Sequence, residues 1–153
     1  RVLDARNAFV MNTLLQGVAR FGTAARAPQM LKRNDIYGKT GTTNDSMDAW
    51  FAGFHPTVAA VVWIGYDNPR KLGDRETGGG LALPVWIDWM AHALKGVPTQ
   101  EFPAPAGVTE GVGGWRFDDY SETGIVQSLG LDDVVPAAPT SEERNTILDL
   151  FRR

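Results

Sequence analysis

Three short runs of strand-forming residues in the middle of the chain limit its fold more than any other feature. They cover 36–43, 47–54 and 58–66, and three-residue connections separate them. Connections this short join antiparallel neighbours, because a parallel pair needs a crossover of about a dozen residues. The near-continuous apolar run at 58–64 indicates a strand buried on both faces. The pattern predicts an antiparallel meander of about three strands, which needs a helix on its face to be stable.

Two segments with helical spacing flank these strands. The first runs from about residue 4 to 21 and begins at Asp4, a suitable N-cap. Its apolar positions are Ala8, Met11, Leu14, Leu15 and Val18. We expect Gly22 to end this helix in a left-handed C-cap. We expect 23–33 to be a loop, because Pro28 disfavours further helix.

The second predicted helix runs from about 81 to 94 and tolerates Pro84 in its first turn. Its predicted buried side consists of Val85, Trp86, Trp89, Met90, Ala93 and Leu94. Trp50 and Trp63, like the two helical tryptophans, are expected to pack in the core rather than to form a carbohydrate platform. The glycines at 78–80 predict a simple turn rather than an anion-binding nest, since no phosphate-loop lysine follows.

The chain divides by composition near residue 97. A proline-rich linker opens the segment 98–153, which then predicts a hairpin between 114–120 and 124–129 and a short terminal helix. Residues 1–97 carry the two longer helices and the three strands. The fold class that follows is α+β, with an antiparallel sheet of about three strands packed with helices.

Composition excludes several functions. A formal net charge of −3 and a pI near 5.3 leave no basic stripe, so we expect no nucleic-acid partner. Because cysteine is absent, the chain has no disulfide, catalytic thiol or thiolate metal site. His55 and His92 have no carboxylate at metal-ligand spacing, so we expect them to be surface or packing residues and predict no metal or cofactor. The longest apolar stretch, 81–90, is too short to span a bilayer, and we expect any targeting segment to lie outside this sequence.

The sequence Lys39-Thr40-Gly41-Thr42-Thr43 in the first predicted strand carries recognisable chemistry. Side chains alternate along a regular strand, so Lys39, Gly41 and Thr43 share one face while Thr40 and Thr42 share the other. A strand edge offers fixed backbone amides to an oxyanion, a lysine adds positive charge, and threonine hydroxyls suit a carboxylate. Glycine allows close approach of another backbone. Lys-Thr-Gly alone is nevertheless a weak motif that ordinary strand ends also contain.

A longer set of stretches makes the motif specific. Residues 38–45 read Gly-Lys-Thr-Gly-Thr-Thr-Asn-Asp, and 48–54 read Asp-Ala-Trp-Phe-Ala-Gly-Phe. The other stretches are 6–9, 11–12, 62–67, 76–79 and 83–86. Together they resemble, in order, the transpeptidase domain of class A, bifunctional penicillin-binding proteins of the 1A type. The resemblance implies that 1–97 are the C-terminal part of a transpeptidase domain with a partial penicillin-binding/β-lactamase-like fold.

The resemblance also implies roles for the motif residues. Lys39 matches the lysine that faces the nucleophile, and the amide of Thr42 matches an oxyanion donor. Thr40 and Thr42 match the hydroxyls that bind the carboxylate of a D-alanyl-D-alanine stem peptide or a β-lactam. Gly41 matches the residue that permits close approach, and Thr43 is an adjacent candidate for substrate binding.

Two further motifs of this family are absent. The serines are Ser46, Ser121, Ser128 and Ser141, and none begins a Ser-x-x-Lys or Ser-x-Asn sequence. We therefore expect the chain to be inactive alone and to act with the remainder of a transpeptidase domain. Two alternatives remain open: a serine β-lactamase that shares the Lys-Thr-Gly strand, and a non-catalytic peptide- or partner-binding module or proteolytic remnant.

The resemblance implies partners and a location as well. The intact protein would bind peptidoglycan stem peptides and β-lactams at the periplasmic face of the bacterial inner membrane. An outer-membrane lipoprotein activator is a further implied partner.

Overall fold

The computed structural model describes residues 2–74 and 76–119. The main elements, in chain order, are α1 (Ala5–Phe21), α2 (Arg26–Leu31), β1 (Tyr37–Thr42), β2 (Ala49–His55), β3 (Val58–Ile64), α3 (Leu83–Ala93), β4 (Val108–Gly111) and β5 (Gly114–Phe117). A short 3-10 turn (Asn44–Ser46) joins β1 to β2, and a single π-helical turn (Gly78–Ala82) leads into α3.

Strands β1, β2 and β3 form an antiparallel meander in chain order. Thr42 lies opposite Ala49, and Trp50 lies opposite both Gly41 and Trp63. The predicted meander and the α+β class are both confirmed. Strand β1 forms one edge of this sheet.

One face of the sheet packs against α3 and forms the core. Phe51 and Trp86 are fully buried, and their rings meet edge to face with centroids 4.9 Å apart. The Trp86 indole also donates a hydrogen bond to the Ala60 carbonyl at 3.0 Å. Burying two aromatic side chains of this size stabilises the helix–sheet contact by several kcal/mol, at about 25 cal/mol per Å² of apolar area.

The prediction that β3 is buried on both faces is wrong. Its residues alternate between partly buried and exposed, and the exposed fraction of Val61 is 63%. The sheet is covered on one face by α3, so only every second apolar residue of β3 reaches the core. Trp50 and Trp63 lie on the other face and are 41% and 45% exposed. The prediction that both pack in the core is therefore wrong as well.

The buried side of α3 also differs from the prediction. Trp86, Met90 and Leu94 are buried as expected, but Val85 is exposed and Trp89 is 48% exposed. Leu83 and Ile87 are buried instead. A helix that is apolar on most of its surface does not reveal from sequence which of its stripes will face the sheet.

Helix α1 begins as predicted and ends differently. The Asp4 carboxylate accepts from the Arg6 amide at 2.9 Å, and this hydrogen bond holds the pKa of Asp4 below its usual value. Gly22 has φ −108°, so the predicted left-handed cap is wrong. Glycine is favoured at this position by close packing and not by a left-handed backbone conformation, because a Cβ would lie 3.0 Å from the Val18 carbonyl oxygen.

The predicted loop at 23–33 contains a short helix, so that prediction is wrong. Pro28 lies in the first turn of α2, where its missing N–H breaks no helical hydrogen bond. Ala24 and Ala27 are fully buried beside α3, and this packing explains why the segment is ordered as a helix.

The segment after residue 97 packs back onto the helix and sheet. Strand β5 pairs with β4, and Trp115 meets Phe9 of α1 edge to face at 4.8 Å. The predicted partner of this strand, 124–129, and the predicted terminal helix lie outside the described residues. The division of the chain near residue 97 stays a prediction. In the described part of the chain, no helix has the length and apolar content to cross a membrane.

Candidate functional site

Strand β1 presents an open edge that carries the Lys-Thr-Gly sequence. Lys39 is exposed, and β2 pairs with only one side of the strand. The Thr43 amide donates to the Asp48 carbonyl at 3.1 Å. This hydrogen bond shows that the backbone groups of Thr43 face β2. In an antiparallel pair, residues point their N–H and C=O groups alternately towards and away from the partner. The amides of Thr40 and Thr42 therefore point away from β2, towards the open edge.

A side-chain contact agrees with this orientation of the backbone groups. The Lys39 ammonium donates to the Thr40 carbonyl oxygen at 2.9 Å. This contact is possible because the carbonyl is not used by the ladder. The same nitrogen lies 3.4 Å from Thr40 Oγ1. The lysine thus folds over the edge towards the threonine hydroxyl.

The two threonine hydroxyls are each held by another element. Thr40 Oγ1 lies 2.8 Å from Thr23 Oγ1, in the turn between α1 and α2. Thr42 Oγ1 accepts from the Gly78 amide at 3.1 Å. In the register of β1 with β2, Thr40 and Thr42 lie opposite Phe51 and Ala49, on the face that carries the core. Both hydroxyls therefore lie at the margin of the core, beside the open edge.

Gly41 and Gly78 are required by close packing. A Cβ on Gly41 would lie 3.2 Å from the Cβ of Trp50, its cross-strand partner. A Cβ on Gly78 would lie 2.3 Å from the Trp50 carbonyl oxygen and 2.5 Å from that of Gly41. Gly78 therefore rests directly on the backbone of β1 and β2, which brings its amide to Thr42. Gly41 is explained by contact with Trp50, without reference to a ligand.

The Thr43 side chain is engaged in the turn after β1 and not at the open edge. Its hydroxyl accepts from the Asp48 amide at 2.8 Å and donates to the Asp48 carboxylate at 3.3 Å. The other carboxylate oxygen of Asp48 accepts from the Trp63 indole at 2.8 Å. The structure brings Lys39, Thr40 and Thr42 to one edge but engages Thr43 elsewhere.

Sequence reasoning missed Thr23 and Gly78 as neighbours of the motif. Thr23 lies in a segment predicted as a loop, 17 residues before its partner. The glycines at 78–80 were predicted to form a simple turn, and no pattern in the sequence indicated that the Gly78 amide would reach Thr42.

His55 lies in a buried ion-pair network away from this edge. The buried Asp35 carboxylate accepts from Arg33 Nε at 2.9 Å and Nη2 at 2.7 Å, and from the Gln100 amide at 2.7 Å. His55 Nδ1 accepts from the Thr57 amide, which leaves Nε2 to donate to Asp35 at 2.9 Å. Burial by itself raises the pKa of Asp35, but the hydrogen bonds from Arg33 and Gln100 outweigh it and hold the pKa below its usual value.

Two concave surfaces among the described residues lie away from this edge. A cavity of about 210 Å³ between α1, β1 and the 101–104 segment is lined by Phe9, Tyr37, Phe102 and Trp115, among other residues. Burial raises the pKa of Tyr37, so its phenol stays neutral. A more open groove of about 480 Å³ lies between α1 and α2. Neither of these two cavities is lined by Lys39, Thr40 or Thr42.

The part of the chain that the structure describes contains no cluster of side chains suited to a metal ion. Across residues 2–74 and 76–119, no group of three or more histidine, aspartate or glutamate side chains could hold a metal ion.

Curated relatives and a solved structure that share one name match this chain. No family model matches the chain. Penicillin-binding protein 1A of Pseudomonas aeruginosa is 49% identical over 166 residues, covering 99% of this chain and 20% of the relative. The protein of the same name from Neisseria flavescens is 41% identical over 147 residues, covering 96% and 18%. The crystal structure of penicillin-binding protein 1A from Haemophilus influenzae is 36% identical, with a TM-score of 0.68 over 72% of this chain and 18% of that one.

The chain thus spans a fifth or less of the length of these relatives. The match nevertheless covers nearly all of the chain at an identity that only homologues show, and the structural neighbour carries the same name. The resemblance inferred from the motif stretches is confirmed. Over most of its length, this chain is homologous to a segment of penicillin-binding protein 1A.

Proposed function

We propose that this chain supplies the Lys-Thr-Gly strand of a serine D,D-transpeptidase site within a longer penicillin-binding protein. The observation that carries the proposal is the open edge of β1, where an ammonium group, two anchored hydroxyls and an outward amide lie together. The names of the relatives support penicillin binding for those proteins. This chain would contribute one wall of such a site.

The first role of the edge is recognition of a carboxylate. Thr42 Oγ1 accepts from the Gly78 amide, so its own proton is free to be donated. Thr40 Oγ1 is contacted by the Lys39 ammonium, which adds positive charge beside it. Hydrogen bonds to an ionised group are roughly twice as strong as neutral ones. The C-terminal carboxylate of a D-alanyl-D-alanine stem peptide, or that of a β-lactam, fits this set of donors.

The second role is stabilisation of an oxyanion by the Thr42 amide. A backbone N–H that points out of a sheet edge is fixed before the substrate arrives, so it needs no reorganisation during the reaction. A serine outside this sequence would attack the substrate carbonyl and expel the terminal D-alanine. The acceptor amine of a second stem peptide would then attack the acyl-enzyme and release the serine. The product is a peptide cross-link in the cell wall.

The remaining assignments follow from this proposal. Residues 1–97 would form the C-terminal part of the transpeptidase domain, and the remainder of that domain would be the first partner of this chain. Peptidoglycan and β-lactams would be the ligands of the intact protein, at the periplasmic face of the bacterial inner membrane. A lipoprotein activator would act on the intact protein.

A second candidate is a non-catalytic module that binds a peptide or a partner. The absence of any Ser-x-x-Lys sequence favours it for the isolated chain. The two candidates differ in whether the Lys39 edge works with a nucleophile supplied by other sequence.

A chimaera tests the choice. This chain would replace its matching segment in the Pseudomonas aeruginosa relative, and fluorescent penicillin would report acylation. We expect the chimaera to be labelled and this chain alone to remain unlabelled. Lys39→Ala should slow labelling of the chimaera roughly 10–150-fold, because loss of one hydrogen-bonding interaction with a charged group costs about 1.5–3 kcal/mol. Lys39→Arg should also be slow, because a guanidinium does not reproduce a compact ammonium.

Lys95→Ala is the matched control, since this exposed lysine lies just after α3, away from the edge. It should label at the unmutated rate. Labelling of a Lys39→Ala chimaera within twofold of the unmutated protein would refute the role of the edge. Covalent labelling of the isolated chain would refute the claim that the nucleophile comes from other sequence.

A further inference from the structure

We infer that Thr23 is a positioning residue for the carboxylate-binding hydroxyl of Thr40, an inference that rests on the proposed function. The two hydroxyl oxygens lie 2.8 Å apart. Neither the motif nor its neighbouring strands include Thr23, which comes from the turn between α1 and α2. The contact therefore joins a separate element to the open edge.

The proton arrangement gives Thr23 a specific effect. An ammonium can only donate, so Lys39 Nζ, 3.4 Å from Thr40 Oγ1, uses one lone pair of that oxygen. When the Thr23 hydroxyl donates as well, both lone pairs of Thr40 Oγ1 are occupied. The Thr40 proton must then point to a third partner. An anion at the edge would receive it.

Thr23 is held firmly enough to do this. The amides of Gly22 and Ala24, on either side of it, both donate to the Val18 carbonyl, at 3.1 and 3.3 Å. Ala24 is fully buried. The carbonyl oxygen of Thr23 would lie 3.3 Å from a Cβ on Gly79, so the turn that contains glycines 78–80 packs beside Thr23. The turn therefore presents the hydroxyl from a fixed backbone rather than from a loose loop.

A simpler role for the contact is to tie the turn to β1. The two roles differ in their dependence on substrate charge. A tether would affect every substrate equally, because it would act through the position of the strand. A device that directs the Thr40 proton would matter only when the substrate carries an anion at that position.

The test compares a penicillin with its methyl ester in the chimaera, with acylation followed by mass spectrometry of the intact protein. The ester has the same ring and side chain but no carboxylate charge. Thr23→Val, which removes the hydroxyl and keeps the shape, should slow acylation by the acid about three- to tenfold, the typical effect of one hydrogen bond. Acylation by the ester should change less than twofold. Thr23→Ser should restore the unmutated ratio of acid to ester.

Two controls make the result specific. Thr99→Val removes an exposed hydroxyl outside the site and should change neither rate. Adding Thr23→Val to Thr40→Val should cause no further loss, because both changes remove the same donor. If Thr23→Val unfolds the protein, as judged by its melting temperature, Thr23→Ala takes its place.

Three outcomes would overturn the inference: an unchanged rate with the acid, an equal fall with acid and ester, or independent effects of the Thr23 and Thr40 substitutions. These outcomes leave the proposed function intact as long as the unmutated chimaera is acylated. A chimaera that is not acylated at all would refute the proposed function, and this inference with it.

Discussion

Replacing Asp35 by asparagine should unfold the chain at a much lower temperature, because this carboxylate joins three separate segments. It receives hydrogen bonds from Arg33, from His55 at the end of β2, and from the Gln100 amide after α3. Arg33 in turn donates to the carbonyls of Val97 at 2.6 Å and Pro98 at 2.8 Å. The network therefore fastens the segment after α3 to the sheet.

The magnitude follows from burial. The Asp35 side chain is fully buried and that of Arg33 is 12% exposed. Asparagine keeps the shape but removes the charge. Its NH₂ group also places a hydrogen-bond donor against the donors of Arg33, His55 and Gln100. Removing one partner of a buried ion pair costs about 3–5 kcal/mol, because the other charge stays desolvated. For a chain of this length, about 2–4 °C of melting temperature corresponds to each kcal/mol, so we expect a fall of roughly 6–20 °C.

The effect should also depend on pH with a definite sign. The pKa of Asp35 is lowered in the folded protein, so its contribution to stability is present above the unfolded value of about 3.9 and is lost as pH falls through the folded pKa. The gap in melting temperature between the unmutated chain and Asp35→Asn should be constant from pH 5 to 7. It should narrow below pH 4. Thermal unfolding followed by circular dichroism measures both quantities.

Asp67→Asn is the matched control, because Asp67 is exposed in the loop after β3 and should shift the melting temperature by less than about 2 °C. A fall of less than 3 °C for Asp35→Asn at pH 7 would show that the network does not stabilise the fold. A gap that persists unchanged at pH 3 would show that the ionised carboxylate is not its source.

Two further pairs of substitutions test the packing. Trp86→Ala should destabilise the chain by about 3–5 kcal/mol, whereas Trp89→Ala on the same helix should cost less than about 1 kcal/mol, because only the first indole is fully buried; equal effects in urea unfolding would refute the observed face of α3. Gly78→Ala should cost about 1–3 kcal/mol, since its Cβ would lie within 2.5 Å of two carbonyl oxygens. Gly17→Ala, with no atom within 4 Å of its Cβ in α1, should instead stabilise the chain by about 0.5–1 kcal/mol in the same assay; a stabilising Gly78→Ala would contradict the close approach to β1.

The sheet was predictable because its information is local. The connections between β1, β2 and β3 are too short for any arrangement other than an antiparallel meander. Strand burial was not predictable in the same way. The run at 58–64 is apolar at nearly every position, so its composition does not show that Val61 and Trp63 would remain exposed. That outcome depends on what covers the second face of the sheet, which is a tertiary property.

The candidate site was predictable in position but not in construction. The motif and its strand follow from a contiguous sequence, and so does the alternation that separates Lys39 from Thr40 and Thr42. The contacts with Thr23 and Gly78 join residues 17 and 36 positions apart. No periodic pattern relates such residues, because their meeting depends on how α1 and the turn before α3 pack on the sheet.

A lysine on an edge strand has a simple explanation that involves no substrate. Edge strands expose unpaired N–H and C=O groups, and a charged side chain there prevents pairing with another chain. Lys39, folded over the Thr40 carbonyl, would serve that purpose. Protection of the edge does not, however, require hydroxyls anchored from two other elements, nor a glycine placed so that its amide reaches Thr42. The combination of exposed charge with fixed donors is what an anion-binding edge requires, and it is the physical reason for the function that we propose for this strand.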